Sequence, residues 1–292
     1  MDFTFENSRG DVLQLWNNPL FYLIDQNGQT SANCDVSALT IGDIDGDLIT
    51  NVRAQPRTII LNLRINPAVD VEEAKRAILK VVKLKQGGTL IWTQNERVLK
   101  IDGVVESVEM PRWNNAVSMQ ISLHCPIPFW TDAEETIQHI DESIPLQYFT
   151  AEDDYSSDML YFPDDGIPFG EYDYTRTRQF YNDGDVDVGM EIEILALDTV
   201  TNPIIYDENG NFFGVGYGTK QVTLSAGDVV KISTERGKLS VVKNDSVNLL
   251  GFIVPRSTWL QLRTGENTFR INSADESTDN MTFTIIYKQR YI

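Results

Sequence analysis

The stretch from Arg57 to Cys125 constrains the fold most, because it holds two strand periods and one helix period in a fixed order. Thr58 to Ile65 (TIILNLRI) alternates, with Ile59, Leu61, Leu63 and Ile65 on one side, which is the period of a half-buried strand. Ala116 to Cys125 (AVSMQISLHC) alternates just as strictly. Val117, Met119, Ile121, Leu123 and Cys125 face one way; Ser118, Gln120, Ser122 and His124 face the other. Between them, Ala74, Ala77, Ile78, Val81 and Val82 form one apolar stripe on a helix predicted from about Val71 to Lys85. Asp70 is the expected N-cap, and Glu73 completes a capping-box pattern. Glu72 and Glu73 at the start, and Lys80, Lys83 and Lys85 at the end, suit the helix dipole. Gly87-Gly88 is the expected stop. Leu90 to Trp92 and Val98 to Ile101 then read as a hairpin around Gln94-Asn95-Glu96. A helix laid on a sheet is a scaffold, not chemistry.

Ahead of this stretch, Asp2 to Asn7, Val12 to Trp16 and Leu20 to Ile24 read as short apolar strands, and Asp25 to Asp35 as a polar loop holding Cys34. Asp43-Ile44-Asp45-Gly46-Asp47 has the alternating carboxylates of a hard-cation loop. However, Gly falls at the fourth position instead of the sixth, and Val52-Arg53 stand near where a distal Glu is needed. A tight acidic turn between Leu39-Thr40-Ile41 and Leu48-Ile49 is the expectation. Beyond it, Pro126-Ile127-Pro128 ends a strand, since proline cannot continue a central ladder. Glu134 to Glu142 reads as a short strand or a helical turn. Thr150 to Thr177 has no period and reads as a long loop, so the chain divides into 1–145, a linker 146–177, and 178–292.

The last part reads as many short strands. They include Val188 to Ala196, Ile204 to Tyr206 and Phe212 to Val215 around an Asn209-Gly210 turn, and Lys220 to Leu224. Val229 to Thr234 pairs with Leu239 to Val242 across Glu235-Arg236-Gly237-Lys238. Leu249 to Val254, Thr258 to Leu262, Thr268 to Ile271 and Met281 to Tyr287 follow. With no convincing helix, this predicts an antiparallel β-sandwich. The fold class is therefore mainly β with one α-helix: an α+β first domain and a β-sandwich second domain. No repeat of solenoid period occurs.

Few residues offer chemistry. His124 lies on the polar face of a strand and His139 in an acidic segment, neither at metal-ligand spacing from Cys or a second His. No GxSxG elbow is present. Gly214-Val215-Gly216-Tyr217-Gly218 lacks the following Lys-Ser/Thr of a phosphate loop, and is expected to bend the chain. No catalytic residue, metal or cofactor is expected. Among Tyr206, Phe212, Phe213, Tyr217 and Trp259, core packing is the main reading. A glycan-stacking surface with Tyr217 and Trp259 is the alternative. Cys125 is expected to be buried as a small hydrophobe; a disulfide to Cys34 is open. The net charge of −19 disfavours nucleic acid and anionic membranes as partners. The first residues lack the basic and apolar regions of a secretory signal, and no apolar run is long enough to span a bilayer.

The run INPAVDVEEAKRAILKVVKLKQGGTLIW, followed by LKIDGVVESVEMPRWNNAVSMQISLHCPIPFW, resembles the distal tail protein family of siphophages (Dit, the Sipho-tail type). YNDGDVDVGMEIEI, NPIIYDENG, AGDVVKISTERGKLSV and LRTGENTFRI extend the resemblance through the second half. It implies a structural, non-enzymatic protein at the tail tip of a virion or prophage particle infecting a Gram-positive host, assembled in the host cytoplasm. It implies a homohexameric ring that joins the tail tube protein to a hub or fibre protein and offers a dock for receptor-binding proteins. It also implies that the second domain is a jelly roll similar in fold to galectins and carbohydrate-binding modules. The alternative function is an adhesion module for cell-wall glycan.

Overall fold

The computed structural model describes residues 2–28, 32–42, 45–95, 97–110, 112–113, 116–140, 177–274 and 280–292. The chain forms two compact units, one of Met1–Glu134 with Lys288–Ile292 and one of Glu135–Tyr287. Two segments fall differently from the sequence division. Thr136–Ile140, expected at the end of the first domain, is a strand of the second unit, and residues 288–292 return to the first. All of the expected linker except Thr177 lies outside the described residues.

The first unit contains β1 (Asp2–Asn7), β2 (Val12–Gln14), β3 (Phe21–Asn27), β4 (Cys34–Thr40), β5 (Asp47–Ala54), β6 (Arg57–Ile65), α1 (Val71–Val81), β7 (Gly87–Gln94), β8 (Arg97–Glu109), β9 (Arg112–Trp113), β10 (Ala116–Cys125) and β11 (Trp130–Asp132). One antiparallel sheet runs in the order β2-β1-β7-β8-β10-β6-β3. The two strands with strict alternation sit side by side, with Ile121 opposite Leu61 and Leu123 opposite Ile59. Their inward residues are buried under the stripe of α1, where Ala74, Ile78, Val81 and Val82 meet Phe3, Phe5, Leu61, Leu63, Ile121 and Leu123 in one core. The prolines after Cys125 interrupt β10, and the chain resumes as β11 along the same edge of β8.

Asp70 caps α1 as expected, its carboxylate accepting from the backbone N–H of Glu72 (2.7 Å) and Glu73 (3.2 Å). The helix is shorter than its sequence suggests. It ends at Val81, and Val82 is already extended, which keeps both adjacent valines in the core. Asn7 donates its side-chain N–H to the freed carbonyl of Val81 at 3.0 Å. Lys83 and Lys85 therefore lie beyond the helix, and Gly87-Gly88 opens β7 instead of stopping α1. A Cβ at Gly88 would stand 2.3 Å from the Phe5 ring; close packing, not a turn, requires that glycine.

The second unit contains β12 (Thr136–Ile140), β13 (Thr177–Asn182), β14 (Glu191–Ala196), β15 (Val200–Thr201), β16 (Pro203–Asp207), β17 (Phe212–Gly214), β18 (Thr223–Leu224), β19 (Val229–Ser233), β20 (Ser240–Lys243), β21 (Val247–Asn248), β22 (Gly265–Ser273) and β23 (Met281–Tyr287). A six-stranded sheet, β12-β23-β14-β19-β20-β21, and a four-stranded sheet, β13-β22-β16-β17, share one core that includes Ile192, Ile194, Ile205, Phe213, Val230, Phe269, Phe283 and Ile285. This is the antiparallel sandwich the sequence predicts. Leu249 to Val254 is not a strand, however: Leu250–Phe252 is a 3₁₀ turn. Thr258 to Leu262 joins no ladder beyond a single bridge from Leu262 to Val188. Lys220 to Leu224 shortens to β18. Leu249, Leu260 and Leu262 are buried all the same, so their spacing reported burial and not pairing.

A last strand, β24 (Arg290–Tyr291), pairs with β11 in the first unit. Tyr291 enters that unit's core, Arg97 lies 3.6 Å over its ring, and its hydroxyl donates to Asp132 Oδ2 at 3.0 Å. Burial, with Asp132 beside it, pushes the phenol up to about 12.

Two outcomes are expected in urea unfolding. Ile78→Ala destabilises the first unit by about 2–5 kcal/mol through the cavity it leaves, and Asp70→Ala by about 1 kcal/mol through the lost cap. In the second unit, Asp228 receives Lys243 Nζ at 2.7 Å together with donors from Asn244 and Ser225, which hold its carboxyl well below the usual range. A depressed folded-state value stabilises fully above the unfolded value of about 4 and is lost as pH falls below it. Acid titration of the second unit's stability is therefore expected to lose part of its slope below about pH 4 in Asp228→Asn.

Candidate assembly site

The β4–β5 hairpin stands out among the described residues by its exposure. Its ladder runs from Cys34 opposite Ala54 to Thr40 opposite Asp47. It prolongs the β3–β6 pair, whose last register is Asn27 opposite Ile60, and a bond from Gln55 N to Asn33 O (2.7 Å) bridges the join. The root is fixed tightly. Gly28 is left-handed, and a Cβ there would lie 2.2 Å from the Thr58 carbonyl oxygen. Arg57 is buried beside Cys125 and reaches the Gly28 carbonyl at 3.4 Å. Burial lowers the Arg57 pKa and pushes the Cys125 thiol up to about 11.

Beyond the root, every residue of β4 is exposed, and so is every residue of β5 except Ala54. A strand of that length reaches about 25 Å. The sequence suggests a loop at Cys34 and a short turn with flanks; the structure has a long bare arm instead, with Cys34 on its first strand, exposed and free. The register shifts between Ser37 and Ala38, leaving Thr50 as the extra residue, its hydroxyl donating to Ser37 O at 3.0 Å. Val36 and Val52 are paired, and past the bulge Ala38 meets Ile49 on the same face. The other face carries the Asp35–Arg53 ion pair (3.6 Å) and, nearer the tip, the Leu39–Leu48 pair. Val36, Leu39, Ile41, Leu48, Ile49 and Val52 are each 45–60% exposed. A two-stranded ribbon is marginal in water by itself, and a contiguous exposed apolar surface of this kind marks an interaction site.

The residues singled out for chemistry are dispersed. His124 is exposed on β10, and the side chain of His139 lies outside the described residues. No group of three or more His, Cys, Asp or Glu placed to hold a metal occurs among the described residues; Asp43 and Ile44 lie outside them. Among the described residues no helix is long and apolar enough to cross a membrane. Trp259 is half-buried and packs on Phe213 with ring centroids 4.8 Å apart. Tyr217 has Lys220 over its ring at 5.9 Å, and among the described residues no ring contact joins it to Trp259. The glycine-rich run bends the chain as expected: Gly216 is left-handed, and a Cβ there would lie 2.0 Å from Asn202 Oδ1, which accepts Val222 N. An open cleft in the first unit is lined by Glu6, Thr89, Lys100, Asp102, Thr131 and Asp132. Two of its three carboxylates are engaged: Asp102 accepts from Thr89, and Asp132 from Arg97 and Tyr291.

No curated protein matches the sequence. Among solved structures, the Dit (gp 19.1) protein of phage SPP1, described as a paradigm of the hub adsorption apparatus in phages infecting Gram-positive bacteria, superposes with a TM-score of 0.68 at 12% identity, covering 99% of both chains. A chain of the phage P2 baseplate in its activated conformation with Ca matches with a TM-score of 0.50 at 11% identity, covering 99% of this chain and 97% of that one. At such identities these are likenesses of fold. Residues 183–291 match the family of the siphovirus-type tail component, C-terminal domain. Residues 183–291 are thus similar to the siphovirus-type tail component C-terminal domain, and the chain has the fold of the SPP1 Dit protein.

Proposed function

We propose that the protein is a structural part of a siphophage or prophage tail tip and works by geometry, without catalysing a reaction. Copies close into a ring of six. The first unit forms the ring between the tail tube protein and the hub or fibre protein, and the second unit faces receptor-binding or baseplate partners. The observation that carries the ring is the bare arm. Its six apolar side chains stay about half exposed among the described residues. Burying them against a neighbour is worth on the order of 10 kcal/mol before the cost of association. A single interface repeated by rotation closes a ring when it joins two different surfaces. The fold of SPP1 Dit and the tail-component family of the second unit support the same reading. An acidic chain lining a conduit also keeps passing DNA from adhering.

Native mass spectrometry of the purified chain, alone and with its tail tube protein, tests this. A six-fold mass is expected. The double variant Ile49→Ser/Val52→Ser is expected to lose it, while its unfolding free energy stays within about 0.5 kcal/mol of the parent, since both side chains are exposed. A ring that forms normally with these changes contradicts the role given to the arm.

A further inference from the structure

The first unit is electrically divided in a way the fold does not need. Between Arg9 and Arg53 the sequence has no cation, and the arm lies in that stretch. Between Glu73 and Glu96 it has no acid, but holds Lys75, Arg76, Lys80, Lys83 and Lys85. On a chain of net charge −19, this second stretch is an isolated basic island. It covers the outer side and exit of α1.

Each pole also exposes apolar side chains. At the arm tip, the Leu39–Leu48 pair and Ile41 are exposed beside the exposed Asp45 and Asp47. At the helix exit, Leu79 and Leu84 are exposed beside Lys80, Lys83 and Lys85. Leu84 sits on a fixed turn: Lys85 is left-handed, its N–H donates to Val105 O at 3.1 Å, and Gln86 N–H donates to Lys83 O at 3.2 Å. Among the described residues, neither Asp45 and Asp47 nor Lys80, Lys83 and Lys85 are used in an ion pair. The arm cannot be seated on its own helix, because its strands are exposed along their length.

We propose that the arm tip of one protomer seats on the α1 exit of the next copy, leucines against leucines and Asp45 and Asp47 against Lys80 and Lys83. The two surfaces differ, so the contact is heterologous and passes from copy to copy, as ring closure requires. Complementary charge fixes which copy faces which and speeds encounter, while the apolar pairs hold the contact. This proposal rests on the ring reading above and specifies its contact.

A charge-exchange series in the full chain tests it, read as association constants by analytical ultracentrifugation. Asp45→Lys/Asp47→Lys and Lys80→Glu/Lys83→Glu are each expected to weaken assembly by about tenfold or more, and mixing the two variants, or combining all four changes, to restore it to within about threefold. All four positions are exposed, so thermal unfolding of each variant should match the parent. Carbodiimide coupling is expected to join peptides containing Asp47 to peptides containing Lys80 or Lys83 in the oligomer and not in the monomer. Unaltered assembly in both charge-reversed variants, or weakening without rescue, overturns the seat while leaving the ring intact. A parent chain that stays monomeric at every concentration and beside its tail tube protein overturns the ring and the seat together.

Discussion

One pair of strands is asked to live in two environments. Where β3 and β6 belong to the sheet, Phe21, Leu61 and Leu63 are buried under α1. Where the same ribbon continues as β4 and β5, apolar side chains face water on both sides. Gly28 and Arg57 mark the border, one by the backbone conformation it permits and the other by a buried guanidinium held against a carbonyl. A ribbon so firmly rooted at one end and so bare at the other is poorly explained by the needs of a lone chain. Its distal half makes physical sense as half of an interface.

The rest of the first unit gives that ribbon a rigid base. The helix stripe covers the paired alternating strands, Asn7 closes the helix end, and β24 brings Tyr291 back under Arg97 beside β11. The second unit achieves its order differently. Buried asparagines and a threonine tie loops to strands, as where Asn202 accepts Val222 N, and where Thr234 both accepts from Met190 N and donates to Met190 O. Such satisfied buried polar groups specify one arrangement of the connecting loops.

Much of this was legible in the sequence. Strict alternation found β6 and β10 with nearly correct bounds, the stripe found α1, and turn chemistry found the Asn209-Gly210 and Gly237 hairpins. The arm was legible only in part. Its apolar residues lie on both faces, and the bulge at Thr50 breaks the period, so no single-face pattern runs through β4 and β5. The signal available was of another kind: apolar residues without alternation, in a stretch without cations. The helix end was overrun because the stripe continues to Val82 although the backbone has already turned extended. The pairings of β24 with β11 and of β12 with β23 join residues more than 140 positions apart, and no local pattern encodes such partners. Tyr217 and Trp259 were grouped by residue type, whereas the structure gives each its own neighbour, Lys220 and Phe213.

The proposed ring requires that β4 and β5, bare in the single chain, be covered in the assembly. Hydrogen–deuterium exchange, compared between the isolated monomer and purified tail tips, measures this directly. Amides of β4 and β5 are expected to exchange fast in the monomer and to slow by about a hundredfold or more in the assembled particle, while those of β6 and β10 are slow in both. Equal, fast exchange of the arm in the two states would contradict the account.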